Sequence, residues 1–289
     1  MSQTTANGDS ELDALAELCR LIRLESLDDN LFRGTSPAAG RRIYGGLVLA
    51  QALAAADATV ADELSLLSLH AYFMRPGDPY RPVIYDVDKL RDGKSFSTRA
   101  VVARQHGGAI FSCQMSFQRP EQGFEHQLPM PAVPQPDELL TDEARFGQLP
   151  GGFLTSRRWP IEYRQVDPVD LLAPQPAEPQ TAVWLRAKGV VDGGPALHRQ
   201  LFAYASDMHI LATAMRPHGV SLRTPELQAA SLDHAIWFHR PFRIDEWLLY
   251  VIHSPSASGA RGLGQGHVYT QDGELVASVC QEGLMRLWS

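Results

Sequence analysis

Several patterns are missing from this sequence, and each absence closes off a class of protein. Cysteine is scarce: Cys19, Cys113 and Cys280 are widely spaced, odd in number and in no C-x-x-C arrangement. That argues against a disulfide framework or a structural zinc site, and free thiols in a reducing cytosol are the simplest reading. No apolar run approaches the roughly 18 residues that a membrane-spanning helix requires. Positive charge is in deficit, with a net charge of −7 and a pI near 5.8. There is no basic stripe of the kind nucleic-acid binders carry, so no nucleic-acid partner is expected. A few local Arg and Lys residues could still hold an anionic ligand against the global sign. Gly-x-Ser-x-Gly is absent, which excludes the nucleophile elbow of α/β-hydrolases, and His-Glu-x-x-His is absent, which speaks against a zincin centre. The ten histidines lack acidic or Cys partners at ligand spacing, so neither a metal nor a cofactor is expected. Residues 1–9 are polar with no hydrophobic signal core and are expected to be unstructured. The final Arg286-Leu287-Trp288-Ser289 is not a Ser-Lys-Leu address, so a cytoplasmic location is expected.

What is present is a chain of 289 residues, long enough for two domains of ordinary size, and it repeats itself weakly. His70-Ala71-Tyr72-Phe73-Met74-Arg75-Pro76 recurs as His234-Ala235-Ile236-Trp237-Phe238-His239-Arg240-Pro241. Each copy runs on into strand-like residues, a Ser-rich approach to an Arg (Arg99 and Arg261), a glycine hairpin turn (His106-Gly107-Gly108 and Gln271-Asp272-Gly273) and a final strand. An Asp-Gly pair flanked by strand residues is a strong hairpin signal. The common order makes duplication the best account.

Each copy is preceded by a helix-like segment, 45–60 in the first and 198–218 in the second. The second is apolar on nearly every side, which marks a buried helix. Each half therefore reads as an antiparallel sheet wrapped around a central helix. The fold class is α+β, a double hot-dog: residues 10–120 form one half-domain and 181–289 the other. Between them, 121–180 is a proline-rich linker expected to cross the surface as ordered but irregular chain. Residues 11–26 fit a short amphipathic helix. The alternating Gly262, Gly264 and Gly266 precede no helix, so they mark a strand approached closely by another backbone or a ligand rather than a dinucleotide loop.

Two residues sit oddly for purely structural roles. Asp207 falls inside the buried helix, where a charge is costly unless paired. Gln281 shares strand parity with Leu275, Ala277, Val279, Met285 and Leu287, so it points to the apolar face and needs partners. Structural hydrogen bonding would account for either one. Ser231 alone is unremarkable. A Ser231–His234–Asp233 triad is geometrically poor, because close neighbours in one strand cannot converge.

Together these segments resemble the type II acyl-CoA thioesterase family of bacterial thioesterase II and its peroxisomal relatives. The resemblance rests on Tyr44-Gly45-Gly46, on 68–78, on 85–96, on Tyr204-Ala205-Ser206-Asp207, on Ser231-Leu232-Asp233-His234, on 237–242 and on Gln281-Glu282-Gly283. It implies a double hot-dog fold and hydrolysis of acyl-CoA by a water that Asp207, Ser231 and Gln281 position. Ser231 stands where many members carry Thr and keeps the hydroxyl. Gln281 has no counterpart in the first half, where Ser116 or Phe117 occupies the matching place, so one site per chain is implied. Arg91, Lys94, Arg99 and Arg261 are candidates for the CoA phosphates. A homodimer or larger homo-oligomer is expected. Two other readings stay open: an acyl-CoA hydratase or dehydratase on the same fold, which would want a His base near Asp207, and a non-catalytic acyl-CoA binder.

Overall fold

A computed structural model describes residues 14–149 and 159–288. The expectation for residues 1–9 lies outside the described residues. Helix α1 occupies 14–22 among them, burying Leu15, Leu18, Leu21 and Ile22. The strands are β1 (Glu25–Asp28), β2 (Leu31–Gly34), β3 (Ser65–Phe73), β4 (Val83–Asp92), β5 (Phe96–Gln105), β6 (Gly108–Gln118), β7 (Ile161–Gln165), β8 (Gln180–Ala187), β9 (Leu227–Ser231), β10 (Asp233–Phe238), β11 (Leu248–Ser258), β12 (Arg261–Thr270) and β13 (Leu275–Leu287). The remaining helices are α2 (Gly45–Asp57), α3 (Asp142–Phe146), α4 (Pro195–Ser206) and α5 (Ile210–Met215).

All the strands join one antiparallel sheet of order β1-β2-β4-β5-β6-β3-β10-β13-β12-β11-β8-β7, with β9 beside the far end of β13. The two halves meet at β3 and β10, where Ala71 lies opposite His234 and His70 opposite Ala235. The segments that opened the sequence repeat thus pair with each other across the seam. Helix α2 packs on β4 and β5, and α5 on β11 and β12, so each half-sheet wraps its own helix as a double hot-dog requires. Ten of the 13 residues of α2 are buried, and its Ala- and Leu-rich sequence combines high helix propensity with close packing against α4. Its one buried polar side chain, Gln51, is satisfied by the Leu21 and Thr35 carbonyls and the Tyr85 hydroxyl.

The structure corrects three expectations and adds one observation. The helix read over 198–218 is two helices, broken at Asp207-Met208-His209, where His209 takes a left-handed φ of 69°. The linker is shorter than 121–180, because β7 pairs with β8 inside it. The inward parity of β13 ends at Gly283; Met285 is half-buried and Leu287 exposed, because the strand there runs past the core to pair with β9. His70 and His234, matched in the repeat, face opposite ways: His70 is exposed and His234 fully buried. A one-residue slip in register exchanges the two faces of a strand.

The stretch 127–139 crosses the outer face of the second half-sheet, where Met130, Val133 and Leu139 cover Trp184, Trp247 and Leu249, and the Trp184 indole donates to the Pro134 carbonyl at 2.9 Å. The glycines of β12 give α5 its close approach: a Cβ on Gly264 would lie 2.7 Å from the Ile210 carbonyl oxygen, and one on Gly262 would lie 2.6 Å from Ala214 Cβ.

Candidate active site

The break after α4 builds the site. The last carbonyls of a helix lack intrahelical donors, and here three tyrosines supply them, Tyr163 and Tyr250 buried and Tyr44 half-buried. Tyr44 Oη donates to the Tyr204 carbonyl at 3.0 Å, Tyr163 Oη to Ala205 at 3.1 Å and Tyr250 Oη to Ser206 at 3.4 Å. Burial, reinforced by the Asp207 charge, holds all three phenols well above the usual tyrosine range, so each stays protonated and able to donate. The chain then turns, and Asp207 leaves the helix instead of lying in its interior.

Its carboxylate reaches across to the other half. Asp207 Oδ2 accepts from the Gly46 amide at 2.9 Å, in the first turn of α2, where no side chain of that helix is acidic. A helix N-terminus favours a negative charge at this point. Neither glycine there could carry a side chain: a Cβ on Gly45 would sit 2.8 Å from Asp207 Oδ2, and one on Gly46 would sit 2.3 Å from the Tyr204 carbonyl oxygen.

The other carboxylate oxygen, Oδ1, accepts from Ser231 Oγ at 3.0 Å. Ser231 Oγ in turn accepts from Gln281 Nε2 at 3.1 Å. The strands explain this convergence. β9 and β10 both lie along β13, with Gly283 opposite Ser231 and Cys280 opposite Ala235. Leu232 bridges them, donating to the Glu282 carbonyl at 2.9 Å. Ser231 and His234 therefore flank Gln281. Gln281 Oε1 bonds His234 Nδ1, and His234 Nε2 lies 2.9 Å from Ser206 Oγ, which closes a ring onto the residue before Asp207. Gln281 is 1% exposed and His234 0%, whereas Asp207 and Ser231 are half-buried. The open end of the ring is thus a carboxylate and a hydroxyl, and its buried end is an amide and an imidazole. Burial holds His234 below the ordinary imidazole value, although the Asp207 charge pulls the other way, so the ring is neutral near pH 7.

Sequence reasoning named three of these groups, weighed His234 only in a triad with Asp233, and missed the Gly46 amide. Asp233 takes no part, since its carboxylate accepts from the Glu282 amide at 2.7 Å. His209 turns away from Asp207 to lie 3.4 Å from the buried Asp142, with Gln165 bonded to the same carboxylate. That pair borders a mainly apolar cavity beside α5, and none of Asp207, Ser231 and Gln281 lines it. A His base paired with Asp207, as a hydratase would need, is not formed.

The family described as acyl-CoA thioesterase matches residues 154–284, and the one described as acyl-CoA thioesterase N-terminal domain matches 32–118. Acyl-coenzyme A thioesterase 8 of Homo sapiens is 41% identical over 92% of this chain and 88% of its own, and acyl-CoA thioesterase 2 of Haemophilus influenzae is 40% identical over 95% and 98%. The chain belongs to the acyl-CoA thioesterase family. Among solved structures, an acyl-CoA thioesterase II from Mycobacterium marinum superposes with a TM-score of 0.80 at 43% identity, covering 94% of this chain and 99% of that one. A hot-dog protein from Alicyclobacillus acidocaldarius, 20% identical with a TM-score of 0.77 over 94% and 99%, shares the fold.

Within the thioesterase, the first half lacks the amide. Its inward residue on the last strand is Phe117, fully buried among apolar neighbours. Of the phosphate candidates, Arg99 is excluded. It is 2% exposed, and its five N–H donors are taken by Thr59 Oγ1, the Thr59, Arg91 and Thr98 carbonyls and Asp92. Arg91 and Lys94 are exposed but lie at the far end of the sheet. Phe96 aligns with Gln118 and Gln118 with Ser65, whereas the Ser231 end of β10 lies opposite Tyr72. Seven residues of strand separate these levels, about 23 Å. Arg261 lies at the level of Ser231, opposite Leu284, and pairs with Glu282 at 3.0 Å. Arg42, which sequence reasoning passed over, donates to the Ala229 carbonyl at 3.2 Å, two residues from Ser231.

Proposed function

We propose that this thioesterase hydrolyses acyl-CoA to a free fatty acid and CoA at Asp207, with Ser231 and Gln281 fixing the attacking water. The carrying observation is the run of hydrogen bonds from the buried Gln281 amide through the Ser231 hydroxyl to the half-buried Asp207 carboxylate. Only one hydrogen of the Gln281 amide is committed to Ser231, and the outer lone pairs of Asp207 remain for a water. Such a water, held near Ser231 and Asp207, adds its oxygen to the thioester carbonyl carbon as its proton passes to Asp207. Collapse of the adduct breaks the carbon–sulfur bond, and the proton on Asp207 goes to the departing CoA sulfur. No covalent acyl-enzyme and no metal enter this scheme. The positive end of α2 faces the same space, so charge developing on the carbonyl oxygen falls within its field.

Arg261, with Arg42 beside β9, is the remaining basic neighbourhood for the CoA phosphates. The three free cysteines fit a reducing, cytoplasmic setting, and among the described residues no helix is long and apolar enough to cross a membrane. A homodimer or larger homo-oligomer completes the proposal, and sedimentation tests it.

The test is thiol release from a panel of acyl-CoAs of graded chain length, with Asp207→Asn alongside wild type. Wild type should release thiol from part of the panel, and Asp207→Asn should lose about 100-fold or more in kcat. Release that persists in full in Asp207→Asn would remove Asp207 from the chemistry, and no release with any acyl chain would remove the activity.

A further inference from the structure

We propose that His234 is a positioning residue that sets the polarity of the site by fixing which end of the Gln281 amide faces Ser231. The inference rests on the Asp207, Ser231 and Gln281 reading and deepens it. A side-chain amide is nearly symmetric in shape but opposite in function at its two ends. With Nε2 toward Ser231, Gln281 donates to the hydroxyl, and the hydroxyl proton is left for Asp207. With Oε1 toward Ser231, the amide would accept that proton, and Asp207 would lose its donor.

Something must choose between the two, and Ser231 cannot, because a hydroxyl serves equally as donor or acceptor. The choice falls to the group behind the amide, which is His234 Nδ1. A neutral imidazole carries one N–H. The ring is wholly buried and touches one polar side chain at each nitrogen, Gln281 at Nδ1 and Ser206 at Nε2. Gln281 Oε1 faces Nδ1 while Gln281 Nε2 faces Ser231, so Nδ1 carries the imidazole proton and the ring's Nε2 is an acceptor. Ser206 Oγ has one hydrogen and two acceptors within reach, His234 Nε2 at 2.9 Å and the Ala203 carbonyl at 3.1 Å, and this tautomer turns it to Nε2. The directions then run one way: Ser206 to His234, His234 to Gln281, Gln281 to Ser231, Ser231 to Asp207. Because Ser206 is bonded covalently to Asp207, the same ring also ties the carboxylate's own backbone to the strand that carries Ser231. His234 is wholly buried behind Gln281, so it acts through that amide.

Asn and Gln dissect the imidazole. Asn places its amide nitrogen where Nδ1 was, and Gln places its own near Nε2. The positioning account predicts that His234→Asn keeps kcat within about threefold of wild type, while His234→Gln loses about tenfold to a hundredfold in kcat with KM within about threefold. A role in packing alone would not sort the two in this way. Equal kcat in folded His234→Asn and His234→Gln would overturn the proposal. A second measurement needs no variant. Histidine-selective ¹⁵N labelling of wild type should show a neutral imidazole protonated at Nδ1 at pH 7, and a spectrum with none would also overturn it. Asp207→Asn run in parallel separates the two readings. Full activity there removes the triad, whereas inactivity there with equal His234 variants removes only the positioning role.

Discussion

Replacing Gly46 with alanine should disable the site without touching any reacting group. An added Cβ would lie 2.3 Å from the Tyr204 carbonyl oxygen and 2.6 Å from Tyr44 Cε1. A carbon and a carbonyl oxygen settle near about 3.3 Å, so α2 and the end of α4 must part by about 1 Å. Two bonds span that gap, Gly46 amide to Asp207 Oδ2 at 2.9 Å and Tyr44 Oη to the Tyr204 carbonyl at 3.0 Å. Forced repacking of this kind costs about 1–3 kcal/mol, and alanine's better helix propensity returns up to about 1 kcal/mol. The net loss of about 1–2 kcal/mol should lower Tm by about 2–3 °C in a chain of this length. The effect on turnover is larger, because a misplacement of about 1 Å in a catalytic group costs on the order of 100-fold. Thiol release gives kcat, and a thermal melt on the same preparation gives Tm. A Gly46→Ala protein whose kcat stays within about twofold of wild type would refute the view that the α2 terminus holds Asp207 in place.

Other substitutions separate structural from ligand-facing charges. Arg99→Met should cost about 2–3 kcal/mol in urea unfolding, because three carbonyls lose a buried donor, and should leave KM for acyl-CoA unchanged. Arg261→Ala should do the reverse, since its exposed pair with Glu282 contributes less than about 1 kcal/mol while loss of a phosphate contact raises KM and flattens its salt dependence. Asp57, bonded to Gln200, has its carboxyl raised by burial from 3.8 to about 6. Between those values the folded chain binds a proton that the unfolded chain has lost, so the ionised group is a growing liability as pH rises. Asp57→Asn should therefore stabilise the protein fully above pH 6, with a gain that vanishes as pH falls toward 4, as chemical unfolding across that range would show.

Much of this architecture is written in the sequence. The paired His-Ala-x-x segments disclosed the duplication, and the strand parity of Gln281 disclosed an inward amide, because both depend on local period. Asp207 was conspicuous because a carboxylate fits poorly among Leu, Tyr and Met on a buried helix. Its true setting was not legible, since the helix breaks there, and that break depends on Tyr44, Tyr163 and Tyr250 arriving from distant segments to cap the last carbonyls of α4. His234 came into view only beside Ser231 and Asp233, a triad that strand geometry rules out, whereas the register at the seam turns it inward against Gln281. Arg99 misled because a charged residue after a Ser/Thr run looks like surface until the fold buries it. Ser231 gained its meaning only from its place opposite Gly283, beside Gln281.

The central claim is that Asp207, Ser231 and Gln281 act on one water as a single unit. The measurement closest to it is kcat for the Asp207→Asn/Gln281→Ala double variant beside the two single variants. Groups that work as a unit give losses that do not multiply. Once Asp207 is neutralised, removal of Gln281 should lower kcat by no more than about threefold further. If the double variant instead shows the full product of the two single losses, the two residues act independently and the account is wrong.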